Sequence, residues 1–124
     1  MSAKRHQEDS LLAKCHLWLW NEHPETRHCC WHIANERVVN PIQGAILKSK
    51  GVVAGTPDYV INWGGHAYYF EFKSDKGVQS KEQILAQTAL TTQGIAYFII
   101  KCDCDFKEIV HQILTNTKQY VQRG

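Results

Sequence analysis

Residues 58–73 read Asp-Tyr-Val-Ile-Asn-Trp, Gly-Gly, His-Ala-Tyr-Tyr-Phe-Glu-Phe-Lys. Two β-rich runs joined by Gly64-Gly65 predict a hairpin with a two-residue turn. Such a short turn fixes the strand register, and counting back from it pairs Asp58 with Glu71. Because side chains alternate between the two faces of a strand, Lys73 lies on the face of Glu71, two residues further on. The other predicted pairs are Trp63 with His66, Asn62 with Ala67 and Val60 with Tyr69.

The predicted pairing of Asp58 with Glu71 sets two carboxylates against each other. Directly opposed Cβ atoms lie roughly 4.5–5.5 Å apart, where like charges destabilise a sheet. A divalent cation would offset that repulsion, since hard cations such as Mg²⁺ bind one or two carboxylates together with substrate phosphate. Lys73 then lies beside the metal and can orient a water or contact a phosphate oxygen. The alternative is that Asp58 begins a strand and that Glu71 and Lys73 are ordinary solvated residues.

Composition predicts one globular domain over residues 1–124. The chain has 44% hydrophobic and 21% charged residues, which is ordinary for a globular protein. No apolar run is long enough to span a membrane, and the N-terminal segment lacks the hydrophobic core of a signal peptide, so we expect an intracellular (cytoplasmic) protein. The formal net charge of +2 neither indicates nor excludes a nucleic-acid partner, since a local basic patch matters more than the total.

The cysteines favour reduced thiols over a disulfide framework. The chain has five of them, an odd number, with one adjacent pair and one C-x-C. A structural zinc site is the alternative, but the spacing is not the usual C-x₂-C, and adjacent cysteines on a strand face opposite ways. The residues considered for zinc are His28, Cys29, Cys30, His32, Cys102 and Cys104, and the remaining cysteine is Cys15.

The rest of the chain alternates helix and strand patterns. Apolar residues at helical spacing predict a first helix over about 3–21, with a stripe of Leu11, Leu12, Cys15, Trp18 and Leu19. Caps and apolar periodicity predict three later helices, and continuous or alternating apolar runs predict the strands. The predicted order is a helix at 3–21, a strand at 27–34, a helix at 41–50, the hairpin at 58–73, a helix from Ser80 to Gly94, a buried central strand at 95–100 and a last helix capped by Asp105. That last helix carries a stripe of Phe106, Ile109, Val110, Ile113 and Leu114, and we expect the polar tail from Thr115 to fray.

This order of elements predicts an α/β domain with a central mixed sheet flanked by helices. Five blocks resemble the VRR-NUC branch of the PD-(D/E)XK nuclease superfamily, and together they span about residues 31–105. The resemblance implies a restriction-endonuclease-like αβββαβ core. The matching blocks are His32-Ile-Ala-Asn-Glu36, Leu47-Lys-Ser-Lys-Gly51, Gly55-Thr-Pro-Asp58, Glu71-Phe-Lys73 and Gly77-x-x-Ser80-x-x-Gln83.

The same resemblance implies the site residues of a metal-dependent nuclease. Asp58, Glu71 and the backbone carbonyl of Phe72 would hold Mg²⁺ or Mn²⁺, and Lys73 would act on the nucleophilic water. Glu36 would add a further acidic ligand, unless it only closes a surface loop. Two further sets of side chains complete the prediction. Gln83 would be a polar companion of the site, and it also caps the helix in which it lies. Lys48, Lys50 and Lys76 would contact DNA phosphates, unless these lysines form solvated surfaces.

The expected function is that of an Mg²⁺- or Mn²⁺-dependent endodeoxyribonuclease. Small stand-alone members of this branch, often phage or bacterial, resemble Holliday-junction resolvases that act as homodimers, so branched DNA is the expected partner. Within the class, a flap endonuclease or a non-specific DNA nuclease is the alternative. A non-catalytic nucleic-acid-binding module or complex subunit is the alternative from another class. The N-terminal helix lies outside the resemblance, which therefore implies nothing about it.

Overall fold

A computed structural model describes residues 3–33 and 40–123. Within those residues the chain forms four α-helices, a 3-10 helix and four strands. In chain order the elements are α1 Ala3–Glu22, the 3-10 helix Pro24–Thr26, β1 Cys30–His32, α2 Pro41–Ser49, β2 Tyr59–Trp63, β3 His66–Phe72, α3 Lys81–Thr92, β4 Ala96–Ile100 and α4 Asp103–Arg123. The predicted order of helices and strands is confirmed, and the 3-10 helix is an addition to it.

The predicted hairpin is confirmed, together with its register from the turn as far as the pair of Tyr59 with Phe70. Gly64 and Gly65 have φ angles of 61° and 82°, the left-handed backbone that a two-residue turn with right-handed twist requires. The strands β2 and β3 are antiparallel, with Trp63 opposite His66 at the turn. The remaining pairs are Asn62 with Ala67, Ile61 with Tyr68, Val60 with Tyr69 and Tyr59 with Phe70.

The four strands form a mixed sheet in the order β1-β2-β3-β4. The pairings β1 with β2 and β2 with β3 are antiparallel, whereas β3 and β4 are parallel. The prediction that β4 is a central strand is wrong, because among the described strands it pairs with β3 alone. Its apolar sequence follows instead from contacts with both α3 and α4, which pack against this edge strand.

The core lies between α1, α4 and one face of the sheet. Cys15 and Leu19 of α1 are buried there, as are Phe106 and Val110 of α4. Both predicted helical stripes are therefore confirmed. From the sheet, the core receives the alternate side chains Cys30, Tyr59, Ile61, Phe70, Phe72 and Ile100.

Three predicted boundaries are wrong. Strand β1 covers only residues 30–32, because residues 27–29 form a turn in which His28 has a φ of 74°. Helix α4 begins at Asp103, two residues before the predicted cap. Asp103 forms an ion pair with Lys14 that connects α4 to α1, and a second with Lys107 within α4. The helix also continues beyond Thr115 to Arg123, since the polar tail contains good helix formers such as Lys and Gln.

The prediction that all cysteines are reduced is wrong for one pair. Cys102 and Cys104 form a disulfide, because the start of α4 brings their Cα atoms to 5.4 Å, within the usual range for such a bond. Cys15, Cys29 and Cys30 are free thiols, as expected. The six residues considered for zinc do not gather, since within 3–33 and 40–123 the only cluster of three potential ligands is Cys102, Cys104 and Asp105. No helix of this part of the chain is long and apolar enough to cross a membrane.

Gly55 permits a close approach between the loop before Asp58 and the start of α3. Its φ is +85°, and a Cβ at this position would clash with the backbone of Glu82. We expect Gly55→Ala to lower the free energy of unfolding by about 3 kcal/mol or more, because backbone strain and a backbone clash add. Gly51→Ala is the matched control, since Gly51 has a φ of +91° but open space around its Cβ. Urea denaturation measures both, and equal losses would show that the close approach is not tight.

Candidate active site

The hairpin holds Asp58 at the point where β2 begins. Its backbone N–H donates to the carbonyl of Phe70 at 2.9 Å, although Phe70 is already the partner of Tyr59, so the regular ladder ends at Tyr59 and Asp58 is not paired with Glu71. Its side-chain Oδ2 accepts the backbone N–H of Phe72 at 2.8 Å. The Asp58 carboxylate is therefore fixed against the end of β3 at Phe72, the residue after Glu71, rather than through the predicted pairing of Asp58 with Glu71.

Glu71 is fully buried on β3, and its two carboxylate oxygens differ in their surroundings. Oε1 accepts hydrogen bonds from the Tyr97 hydroxyl at 2.5 Å and from Nε2 of Gln79 at 3.2 Å. Among the described residues Oε2 has no hydrogen-bond partner, and Nζ of Lys73 lies 3.9 Å away from it. A buried carboxylate oxygen without a donor is costly, so Oε2, which has only the ion pair with Lys73, is open to a further donor or cation.

Lys73 is only 8% exposed, so its ammonium group is held near Glu71 rather than in solvent. Its backbone N–H donates to the carbonyl of Ile100 at 2.9 Å, which extends the pairing of β3 with β4. The alternative that Glu71 and Lys73 are ordinary solvated residues is therefore wrong. The structure brings together Asp58, Glu71 and Lys73 as the sequence predicts.

A cavity of about 370 Å³ opens beside Asp58. Glu71 and Lys73 are not among the residues that line it. Phe72 borders the cavity although its ring is buried in the core, so it presents its main chain there. The lining residues are Lys4, Arg5, Glu8, Asp9 and Leu12 from α1, with His32, Asp58, Phe72 and Gln83.

Glu8 is a site residue that the sequence-based prediction missed. It lines the cavity with Asp58, and its Oε2 accepts the backbone N–H of Ser74 at 3.3 Å, next to Lys73. The signal was present, because Glu8 precedes Leu12 by four residues and therefore shares the inward face of α1. A carboxylate on an apolar helix face indicates a polar partner, which here is the end of β3.

His32 is a second missed residue, although it stands in one of the quoted blocks. Its Nδ1 lies 2.8 Å from the backbone carbonyl of Asp58. A carbonyl oxygen only accepts, so Nδ1 is the donor of this bond. His32 therefore holds the strand end that carries Asp58 and adds an imidazole to the cavity wall.

Burial raises the pKa of Asp58 from 3.8 to about 6. The N–H of Phe72 opposes that change, whereas the negative charges of Glu71 and Glu8 add to it. Burial and the hydrogen bond to Glu71 raise the pKa of Tyr97 above its usual value, so its hydroxyl remains a donor at neutral pH. The site thus concentrates negative charge in a poorly solvated place, which a cation would relieve.

The donor atoms of this site suit a hard divalent cation. They are the carboxylate oxygens of Asp58 and Glu71 and a backbone carbonyl at Phe72, and Oε2 of Glu71 lacks a hydrogen-bond partner in the described part of the chain. No three of the described acidic or histidine ligand atoms here lie within 4.8 Å of one another, unlike the Cys102 cluster. Mg²⁺ does not need such a cage, because it keeps several waters and binds through one or two carboxylates plus phosphate.

The other predicted site residues have different outcomes. Glu36 lies outside the described residues, so its role stays a prediction. Gln83 completes the predicted capping box with Ser80 and also lines the cavity, so its structural role is confirmed and its site role stays a prediction. The DNA-binding role of three exposed lysines also stays a prediction, and they stand apart from the residues that line the cavity. They are Lys48, Lys50 and Lys76.

The fold is similar to that of a solved structure described as "VRR_NUC domain protein", with a TM-score of 0.71. The match covers 87% of this chain and 88% of that one, at 19% sequence identity. No protein-family model matches the sequence, and no curated protein matches it. The structural match confirms, at the level of the fold, the VRR-NUC resemblance and the restriction-endonuclease-like core predicted from the sequence.

Proposed function

We propose that this protein is a metal-dependent DNA endonuclease that hydrolyses phosphodiester bonds at the site of Asp58, Glu71 and Lys73. One observation carries the proposal. It is a buried carboxylate oxygen of Glu71 that has no hydrogen-bond partner within residues 3–33 and 40–123, on the strand paired with that of Asp58. A solved VRR_NUC domain protein shares the fold, which supports the same assignment.

Asp58, Oε2 of Glu71 and the backbone carbonyl of Phe72 would hold Mg²⁺ or Mn²⁺. Glu36 and Glu8 are the further acidic candidates, Glu8 because it lines the cavity beside Asp58. When bound, such an ion supplies Lewis acidity to the scissile phosphate and lowers the pKa of a coordinated water. The protein residues fix the oxygen donors before substrate arrives, so little rearrangement is needed at the moment of reaction.

Lys73 orients the attacking water and offsets negative charge that develops on the phosphate. Its buried position makes this charge effective, since electrostatic interactions are stronger away from water. Lys4 and Arg5 bring positive charge of α1 to the cavity wall, where a DNA phosphate would approach. The lysines at positions 48, 50 and 76 are exposed and are proposed as contacts to more distant phosphates.

Branched DNA, above all a Holliday junction, is the proposed substrate, and the active species is a homodimer. Two symmetric incisions in a four-way junction require two active sites related by a two-fold axis. A flap endonuclease or a non-specific DNA nuclease would use the same site with a different approach of the DNA.

The test is cleavage of a labelled four-way junction, a flap and a linear duplex in Mg²⁺, in Mn²⁺ and in chelator. We expect the junction to be incised at least about tenfold faster than the duplex in either metal. We expect no incision in chelator. Junction cleavage no faster than duplex cleavage would refute the resolvase assignment alone. No cleavage of any substrate in either metal would refute the enzyme and leave a non-catalytic binding module. Sedimentation of the protein with and without junction DNA tests the dimer.

A further inference from the structure

The carboxylate of Glu71 is held by a hydrogen-bond network outside the predicted active-site motif. The Tyr97 hydroxyl donates to Oε1 from the neighbouring strand β4, at 2.5 Å. Nε2 of Gln79 donates to the same oxygen at 3.2 Å and to Oε1 of Gln87 at 2.8 Å. The side-chain amide of Gln79 thus donates two hydrogen bonds, one to Glu71 and one to Gln87 on helix α3.

The network makes the two oxygens of Glu71 unequal. Oε1 accepts two hydrogen bonds, whereas Oε2 accepts none from the residues that the structure describes. Rotation of the carboxylate would break both bonds in a fully buried position, where unpaired polar atoms are costly. Oε2 is therefore held in one orientation, with its lone pairs available.

We propose that Tyr97 and Gln79 are positioning residues that hold Glu71 so that Oε2 is presented to the divalent cation. The inference rests on the proposed function, because it explains why the Oε2 atom of a proposed metal ligand accepts no hydrogen bond from the described residues. Neither residue is assigned a contact with the cation or with DNA. Both act through Glu71, as hydrogen-bond partners commonly orient metal-binding carboxylates.

The strand pairing explains why a hydroxyl is needed at residue 97. Glu71 is paired with Ile99, so Tyr97 lies two residues earlier on the same face of the adjacent strand. A phenylalanine there would fill the same space and leave Oε1 with the weaker bond from Gln79. The hydroxyl, and not the ring, therefore supplies the orientation.

The test is Mn²⁺ binding by metal-free protein, measured by calorimetry for wild type, Tyr97→Phe and Tyr69→Phe. Tyr69 is the matched control, because it is paired with Tyr97 across the strands, whereas the described hydrogen bonds to Glu71 come from Tyr97 and Gln79. We expect Tyr97→Phe to weaken Mn²⁺ binding about tenfold or more, and Tyr69→Phe to change it less than about twofold. Cleavage by Tyr97→Phe should recover at high Mn²⁺ concentration, whereas a change in the reacting groups would not be rescued in this way.

A second variant, outside β4, distinguishes the loss of a hydrogen bond to Glu71 from a general disturbance of strand β4. Gln79 lies in the loop before α3, and Gln79→Ala should weaken Mn²⁺ binding about threefold or more without lowering the melting temperature of the metal-free protein by more than a few degrees. Unchanged Mn²⁺ affinity in both Tyr97→Phe and Gln79→Ala would overturn the positioning role while leaving the nuclease intact. An absence of Mn²⁺ binding by the wild-type protein would overturn the metal site itself, and the positioning role with it.

Discussion

Replacing Asp58 with asparagine is expected to abolish metal-dependent DNA cleavage and, at the same time, to maintain or raise the stability of the metal-free protein. The rate of incision should fall at least about 10³-fold, because a neutral amide is a poor ligand for a hard cation. The amide side chain would still accept the N–H of Phe72 through its carbonyl oxygen, so the strand end stays in place. Loss of activity with a gain of stability is the signature of a functional rather than a structural carboxylate.

The gain of stability has a defined pH dependence. The pKa of Asp58 is about 6 in the folded protein against 3.8 ordinarily, so the folded state binds the proton more tightly. Ionised Asp58 therefore lowers the free energy of unfolding as pH rises from about 4 to about 6, and the full loss applies above that range. The cost at pH 8 is at most about 3 kcal/mol, by the usual conversion of about two pKa units. The substitution by asparagine removes this cost.

Melting temperatures of metal-free wild type and Asp58→Asn at pH 4 and pH 8 measure this effect. The two proteins should have the same melting temperature at pH 4. At pH 8 the melting temperature of the variant should equal or exceed that of the wild type. Asp75→Asn is the control, because Asp75 is an exposed carboxylate at which no such difference is expected. A clear fall in the melting temperature of Asp58→Asn at pH 8 would mean that Asp58 is structural.

Replacing Lys73 with methionine is expected to lower the cleavage rate by about 10²–10³-fold while DNA binding changes little. The loss follows from removal of a buried positive charge that stabilises the transition state. Binding should persist because the exposed lysines and the cavity wall of α1 remain. Unlike Asp58→Asn, Lys73→Met should destabilise the metal-free protein, since Glu71 loses the ammonium group 3.9 Å from its Oε2.

Single-turnover cleavage in Mn²⁺ and binding to labelled DNA in Ca²⁺ separate these two effects. Lys14→Met is the matched control, because Lys14 is 65% exposed and pairs with Asp103 away from the site. Cleavage by Lys73→Met within about threefold of wild type would show that another group orients the water. Equal losses of cleavage and of DNA binding would make Lys73 a phosphate contact instead.

The hairpin site could be predicted from sequence because its geometry is local. Gly64 and Gly65 select the turn, the turn fixes the register, and the register brings the residue before β2, Asp58, to the end of β3 that carries Glu71. The five sequence blocks added the fold, and the structural similarity confirms that part. Helical periodicity likewise predicted which faces of α1 and α4 are buried, since burial follows the 3.6-residue repeat.

The residues that surround the hairpin could not be predicted in the same way, because they meet it only through tertiary packing. Glu8 approaches Ser74 across 66 residues of sequence, and Tyr97 approaches Glu71 across 26. The pattern of α1 places Glu8 on the inward face but does not identify its partner, and nothing in the pattern of β4 specifies the contact of Tyr97 with Glu71. The edge position of β4 was missed for a related reason, since packing against two helices makes an edge strand as apolar as a central one.

Binding of a divalent cation by Asp58 and Glu71 underlies every step of the proposed chemistry, and anomalous diffraction from crystals soaked in Mn²⁺ would locate such an ion. We expect an anomalous peak at the position shared by the Asp58 carboxylate and Oε2 of Glu71, absent from crystals of Asp58→Asn. A peak confined to another part of the molecule, or none at a Mn²⁺ concentration that supports DNA cleavage, would show that these two carboxylates do not hold the metal.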